Sequence, residues 1–334
     1  MRRAIVADAA VSTHRLVRVR KIAVVYNARS GALSSEPPPE DSLSDLLARH
    51  GVDPVLAPFE PSTVREDVHT LLAGTPPPDA VIVAGGDGTV RSVAAHTLGS
   101  DVPLGVLPMG TMNVLARDLG VPEDLESALD ALLTAPVQLI DVARVNGELF
   151  LCSSALAMMP HLGRIRERAR GAPGWQQPRW WARGLRIWRR YPRMRLHVIV
   201  DGNEHQVRTR AMVVSNNPLS SRPASGLSAR LPGRDRLDTG RLVVYVIRDR
   251  TRWDLLSLAA KLPDGSWLTD RRLSSYEGST VQVRSSQLGV MSVMSDGEVV
   301  QLPTPLWYQL EPRALAVLAP RAGMGAATGA GPDR

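Results

Sequence analysis

Cysteine, phenylalanine and lysine are nearly absent from this chain of 334 residues, which has one, two and two of them. The lone Cys152 excludes an internal disulfide and fits a reducing compartment. No apolar run approaches the roughly 20 residues that span a bilayer, which excludes an integral helical membrane protein. Arg2 and Arg3 are not followed by an apolar segment of about 7–15 residues, so no signal peptide is expected and the chain reads as cytoplasmic. The shortage of lysine qualifies the net charge of +7, because Lys21 and Lys261 leave 38 of the 40 basic residues as arginine. With abundant Ala, Gly and Pro, this fits a genome-wide compositional bias, so the distribution of charge carries more than its total. The 44% hydrophobic and 22% charged residues are ordinary for a globular protein, and the length suggests about two domains.

What the chain does have is concentrated in Val81–Arg117. The apolar run Val81–Ala84 leads into Gly85-Gly86-Asp87-Gly88-Thr89. A helical pattern follows, then a second apolar run, Leu104–Leu107, ending in Pro108-Met109-Gly110-Thr111-Met112-Asn113. This is the pattern of a βαβ unit, which puts both turns at the carboxyl edge of one parallel sheet. Three glycines in four positions let the backbone bend tightly and bring its N–H groups close to an anion. The following helix aims its N-terminus, with unpaired N–H groups, at the same place. Asp87 would repel a phosphate there, so its carboxylate suits a metal ion or a hydroxyl group. The plainer alternative is a strand-to-helix turn in which Asp87 is only a cap.

Gly85–Thr89 followed by Leu104–Leu119 (LGVLPMGTMNVLARDL) resembles the catalytic domain of the diacylglycerol kinase and bacterial lipid kinase family. The resemblance implies an α/β nucleotide-binding domain over 20–141 and an antiparallel, β-sandwich-like domain over 142–320, with a cleft between them. The last segment can return to the first domain, and 1–19 and 321–334 are expected as flexible ends. It also implies ATP and Mg²⁺, with the γ-phosphoryl group passing to a lipid hydroxyl, that of diacylglycerol or a similar lipid. By the family's pattern Gly85, Gly86, Asp87, Gly88, Thr89, Gly110, Thr111 and Asn113 bind the nucleotide, with Asp87 also on the metal. Asn27, Ser30 and Gly31 match a further nucleotide-contacting turn, with Ala28 in place of the family's proline. Asp296-Gly297-Glu298 matches the family's catalytic acids, Asp296 as the base toward the acceptor hydroxyl and Glu298 orienting it or a magnesium-bound water. Taken alone, that tripeptide is a plain hairpin turn. A soluble NAD kinase-like enzyme and a non-catalytic nucleotide- or lipid-binding relative are the alternatives.

Three departures from the family stand out. Arg91-Ser92 replaces the usual Asn-Glu, and Ala155–Met159 replaces a glycine-rich stretch beside the substrate cleft. Leu237-Asp238-Thr239-Gly240 lacks the acid next to glycine, so the family's structural magnesium site is not carried over.

Elsewhere, periodicity and end signals predict helices over 42–50, 62–73 (capped by Ser62), 122–133 and 251–261. Strands are predicted over 21–27, 54–58, 137–142, 149–153, 196–201, 211–215, 242–247, 280–284, 289–294 and 315–319, with a hairpin turn at Gly202-Asn203. Residues 164–195 hold eleven arginines, four tryptophans and a single acid, Glu167. From Pro178 to Pro192 the pattern is amphipathic. Arg179, Arg183, Arg186, Arg190 and Arg193 fall within about 80° at roughly 100° per residue, with Trp181, Leu185 and Trp188 opposite. Such a helix suits peripheral association with an anionic membrane surface. The alternative is that the tryptophans pack on the core and the arginines are simply solvated. Nucleic acid is not expected as a partner, and a homodimer is compatible with the chain.

Overall fold

The computed structural model describes residues 15–16, 21–28, 39–170, 177–220 and 232–320. Ser30, Gly31, Trp175 and the C-terminal end therefore lie outside the described residues, and of the N-terminal end only Arg15–Leu16 is described, as a strand.

The first domain is built from β1 (Arg15–Leu16), β2 (Lys21–Tyr26), α1 (Pro39–Arg49), β3 (Asp53–Pro58) and α2 (Val64–Leu72). It continues with β4 (Ala80–Gly85), α3 (Asp87–Thr97), β5 (Leu104–Pro108), α4 (Val114–Leu119) and α5 (Leu125–Leu133). Strands β3, β2, β4 and β5 pair in parallel in that order. β4 is buried along its whole length and β2 along nearly all of its own, as parallel strands covered on both faces must be. α2 begins at Val64 rather than at a Ser62 cap. The hydroxyl of its preceding residue, Thr63, donates to Asp67 Oδ2 (2.7 Å) instead of capping the backbone. α5 also starts later than predicted, where Asp124 accepts the Ser127 N–H (2.9 Å).

The chain then runs through β6 (Pro136–Val145), β7 (Glu148–Phe150), β8 (Ser153–Ala157), α6 (Met158–Arg170) and α7 (Gln177–Arg190). Next come β9 (Met194–Val200), β10 (Asn203–Thr209), β11 (Ala211–Asn216), β12 (Leu242–Ile247) and α8 (Arg252–Ala259). It ends with β13 (Leu273–Gly278), β14 (Thr280–Ser285), β15 (Val290–Ser295), β16 (Glu298–Pro303) and β17 (Leu306–Leu318). Six strands form an antiparallel sheet in the order β13-β12-β11-β8-β15-β16. The other sheet runs β10-β9-β14-β17-β5-β4-β2-β3, straight through both domains.

β17 is what joins them. Its first half alternates and packs Leu306 and Tyr308 into the second core, between β14 and β6. After a register shift between Glu311 and Leu315 its last residues are buried on both faces, and Val317 pairs in parallel with Leu104. The predicted strand 315–319 is thus only the end of a longer one. The β9–β10 turn is Asp201-Gly202, not Gly202-Asn203. Both residues have positive φ (45° and 85°), as a two-residue hairpin turn requires, and Asn203 already pairs with Val200. α7 ends at Arg190, so Arg193 leaves the arginine stripe and donates instead to the Asp249 carbonyl (3.1 Å).

Candidate active site

The two glycine-containing turns meet at the carboxyl edge of β4 and β5. Met109 N–H donates to the Gly85 carbonyl (3.2 Å), and a Cβ on Gly86 would lie 3.3 Å from Gly110 Cα. A Cβ on Gly85 would lie 2.8 Å from the Cβ of Thr89, whose hydroxyl accepts from Asn27 Nδ2 (3.0 Å). Glycine is therefore required here by contact, not only by conformation. Gly86 supplies no side chain to cap α3, so among the described residues the first N–H groups of that helix keep no helical partner. Asn113, in the left-handed region (φ 45°), closes the second turn by accepting the Gly110 N–H (2.8 Å) and donating to the Gly110 carbonyl (2.9 Å). Thr111 is exposed in the same loop.

Asp87 lies between two helix N-termini. It is the first residue of α3, yet its Oδ1 accepts the Val114 N–H (2.8 Å) that opens α4. It is thus a cap, but of the neighbouring helix. Burial, and after it the nearby Asp296 carboxylate, push the Asp87 carboxyl up to about 6, against the N–H groups of Val114, Leu115 and Asn113.

The Asp296-Gly297-Glu298 turn joins β15 to β16 and faces this place from the second domain. Asp296 (φ 48°) accepts three backbone N–H groups: Leu151 at Oδ2 (2.6 Å), Cys152 and Ser153 at Oδ1 (2.9 and 3.0 Å). These bonds also explain why the strand predicted over 149–153 breaks into β7 and β8 at Leu151-Cys152. Glu298 Oε2 pairs with Arg91 of α3. All the predicted site residues within the described part therefore come together, Asn27 through Thr89 and Thr111 as an exposed neighbour.

Sequence reasoning missed the support beneath this turn. Arg234, nearly fully buried, donates through Nε to Asp118 of α4 (2.8 Å), and through Nη1 to the carbonyls of Leu151 and Asn216 (2.8 and 2.9 Å). Its Nη2 reaches Cys152 Sγ (3.1 Å), whose thiol burial pushes well above its ordinary value. One guanidinium thus fixes the loop that holds Asp296 to the helix that Asp87 caps. Nothing near Arg234 in the sequence signals this. Around Thr239-Gly240, side chains from distant segments hold the backbone. Thr239 N–H and hydroxyl donate to Asn217 Oδ1 (2.7 and 2.6 Å), and Gly240 N–H donates to Asp141 Oδ2 (2.7 Å).

No group of three or more His, Cys, Asp or Glu side chains is placed to hold a metal ion among the described residues. Asp87 instead fits Mg²⁺ as that ion usually binds, through one or two carboxylates plus phosphate oxygens. The close-packed glycine turns and the uncapped start of α3 fit a polyphosphate.

A parallel α/β domain whose phosphate-type turns face a carboxylate turn from an antiparallel β domain defines a class, the two-domain kinases. The comparisons agree. The diacylglycerol kinase catalytic domain matches residues 21–145, and the YegS C-terminal NAD kinase beta sandwich-like domain matches 164–319. A diacylglycerol kinase of Mycobacterium tuberculosis is 29% identical over 251 residues, 73% of this chain and 78% of that protein. A probable YegS-like lipid kinase of Klebsiella pneumoniae is 46% identical over 70 residues, 20% of this chain and 24% of its own. The fold is that of a putative diacylglycerol kinase from Bacillus anthracis, with a TM-score of 0.67 at 19% identity, covering 92% of this chain and 99% of the other. The chain belongs to the diacylglycerol kinase family of lipid kinases.

Proposed function

We propose that the protein transfers the γ-phosphoryl group of ATP to the hydroxyl of diacylglycerol or a similar lipid. The observation that carries this is that the Asp296-Gly297-Glu298 turn reaches the glycine turn across the domain seam, where Glu298 pairs with Arg91 of α3 and lies against Gly88. The glycine turns, Thr111 and Asn113 hold the phosphates and ribose. Asn27 belongs to the same nucleotide side, Asp87 would hold the metal, and Glu298 would orient Asp296 or a metal-bound water. Mg²⁺, when bound, neutralises charge on the transferring group. Asp296 is the base, and the three N–H groups fix its direction while leaving one of its roughly four lone-pair positions open.

A second assignment of the base has its own support. Asp87 is the carboxyl pushed up to about 6, nearer the working range of a proton acceptor. An acceptor lipid with fluorine beside its hydroxyl needs less help from a base. Rescue of Asp296→Asn by that lipid supports the first assignment, and rescue of Asp87→Asn the second. The function itself is tested by transfer from γ-labelled ATP to diacylglycerol, monoacylglycerol, sphingoid base and NAD. Label on NAD alone would move the protein to the soluble NAD kinases, and no transfer despite ATP binding would favour a binding relative.

Anionic membrane is the proposed partner surface. No helix among the described residues is long and apolar enough to cross a membrane. α7 exposes Trp181 (76%) and Leu185 (51%), and α8 adds Trp253 (71%), whose ring meets Trp188 edge-on at 5.8 Å. Trp180 and Trp188 are half-buried, so the tryptophans divide between packing and exposure. A cavity of about 260 Å³ between α6 and α7, lined by His161, Arg164, Ile165, Arg168, Arg183 and Ile187, suits a phosphorylated headgroup beside that surface. Pelleting with phosphatidylglycerol vesicles should fall in Trp181→Ala/Trp253→Ala, and unchanged pelleting would refute this surface.

A further inference from the structure

The seam carries an ion pair at the mouth of the glycine turn. Arg91 lies four residues after Asp87 on α3, so its side chain rises from nearly the same face and leans back toward the helix N-terminus. Its guanidinium is largely buried: Nη2 pairs with Glu298 Oε2, and Nη1 donates to the Ser295 carbonyl (3.4 Å). The other carboxylate oxygen, Oε1, presses on Gly88, where a Cβ would collide with it. Glu298 is half exposed, so solvent reaches one side of the pair. A carboxylate thus sits over the first turn of α3, where a helix favours an anion, and it arrives with its own cation. That is also where the nucleotide reading puts a polyphosphate, and two anions do not share such a place without repulsion.

We propose that Arg91 is a phosphate-binding residue of this site and that Glu298 stands in for the phosphate while the nucleotide is absent. A polyphosphate entering over Gly88 displaces the Glu298 carboxylate, and the Arg91 guanidinium passes from carboxylate to phosphate oxygens. Arginine suits both states, because its planar fork makes paired hydrogen bonds to either group. The inference rests on the nucleotide reading above. It gives a role to a position where this chain departs from the Asn-Glu usual in its family.

Calorimetric titration with inorganic tripolyphosphate, without added metal, and separately with ATP and Mg²⁺ tests it, alongside melting curves of each variant. Arg91→Met should weaken tripolyphosphate binding at least tenfold, and Arg91→Lys should recover part of the loss. Glu298→Gln removes the competing anion and should tighten tripolyphosphate binding several-fold. A merely structural ion pair would not do this. The gain should vanish in Arg91→Met/Glu298→Gln. Arg91→Met within twofold of native, or Glu298→Gln weaker than native, overturns the assignment while leaving the nucleotide reading intact. Should Arg91→Met fail to fold, the sign of the Glu298→Gln effect decides alone. If the native protein binds neither probe, both readings fall.

Discussion

A single methyl group at Gly110 should cost far more than its size suggests. Its Cβ would lie 2.5 Å from Gly86 Cα and 2.8 Å from Asn113 Oδ1. Carbon atoms pack best at about 3.5–4.0 Å, so the two turns would have to part by about 1 Å. The first obstacle is backbone and cannot rotate away. Overpacking of this kind costs about 1–3 kcal/mol. The Gly110 N–H to Asn113 Oδ1 bond (2.8 Å) would go with it, for about 1 kcal/mol more. Gly110→Ala should therefore lose about 2–4 kcal/mol and its affinity for ATP. Gly86→Ala, with its nearest contact at 3.3 Å, should lose less. Gly184→Ala, inside α7 with nothing within 4 Å, should gain about 0.5–1 kcal/mol. Urea unfolding followed by tryptophan fluorescence, with nucleotide titration of each variant, gives the order. Gly110→Ala within about 0.5 kcal/mol of native, below the overpacking cost, would show that the turns are not in contact as described.

In metal-free buffer the folded Asp87 carboxyl holds its proton up to about pH 6 while the unfolded one releases it near 3.8, so stability present below about pH 4 should be lost as pH rises through 6. The loss is at most about 3 kcal/mol; unfolding midpoints between pH 4 and 7 should show it in the native protein and not in Asp87→Asn. Arg234→Met should cost about 3–5 kcal/mol by removing the guanidinium that meets the buried Asp118 carboxylate, and Asp118→Leu added to it should recover part of the loss in the same unfolding assay. Asp296→Asn turns one acceptor into a donor against the Leu151 or Cys152 N–H, which should lower stability by about 1–3 kcal/mol in thermal melts even where no substrate is present.

The parallel core was legible because VIVAGGDGT and LGVLPMGTMN carry their structure locally. A buried strand must be apolar throughout, and a phosphate-type turn must be glycine. β10, β13 and β16 were not legible, since their residues are mixed in polarity and pair only through partners distant in the chain. The first half of β17 was hidden for a related reason: Glu311-Pro312-Arg313 reads as an interruption, and only the register shift against β6 lets the strand continue. Cap positions also moved, because the Thr63 hydroxyl found Asp67 before it found a backbone N–H.

The amino-acid sequence by itself determined which residues can do chemistry here: the glycines, Asp87, Asn113, Asp296 and Glu298 are marked by type and spacing. It also determined the parallel strands of the first domain, through runs that are apolar throughout. Only the tertiary structure decided what each carboxylate faces. Asp87 caps a helix not its own, Asp296 is held by a strand break nearly 150 residues earlier, and Glu298 lies on Gly88 beside Arg91. Those partners come from helices of the first domain and from strands of the second domain's six-stranded sheet, and local propensity cannot encode a contact whose two sides meet only when the domains close on each other.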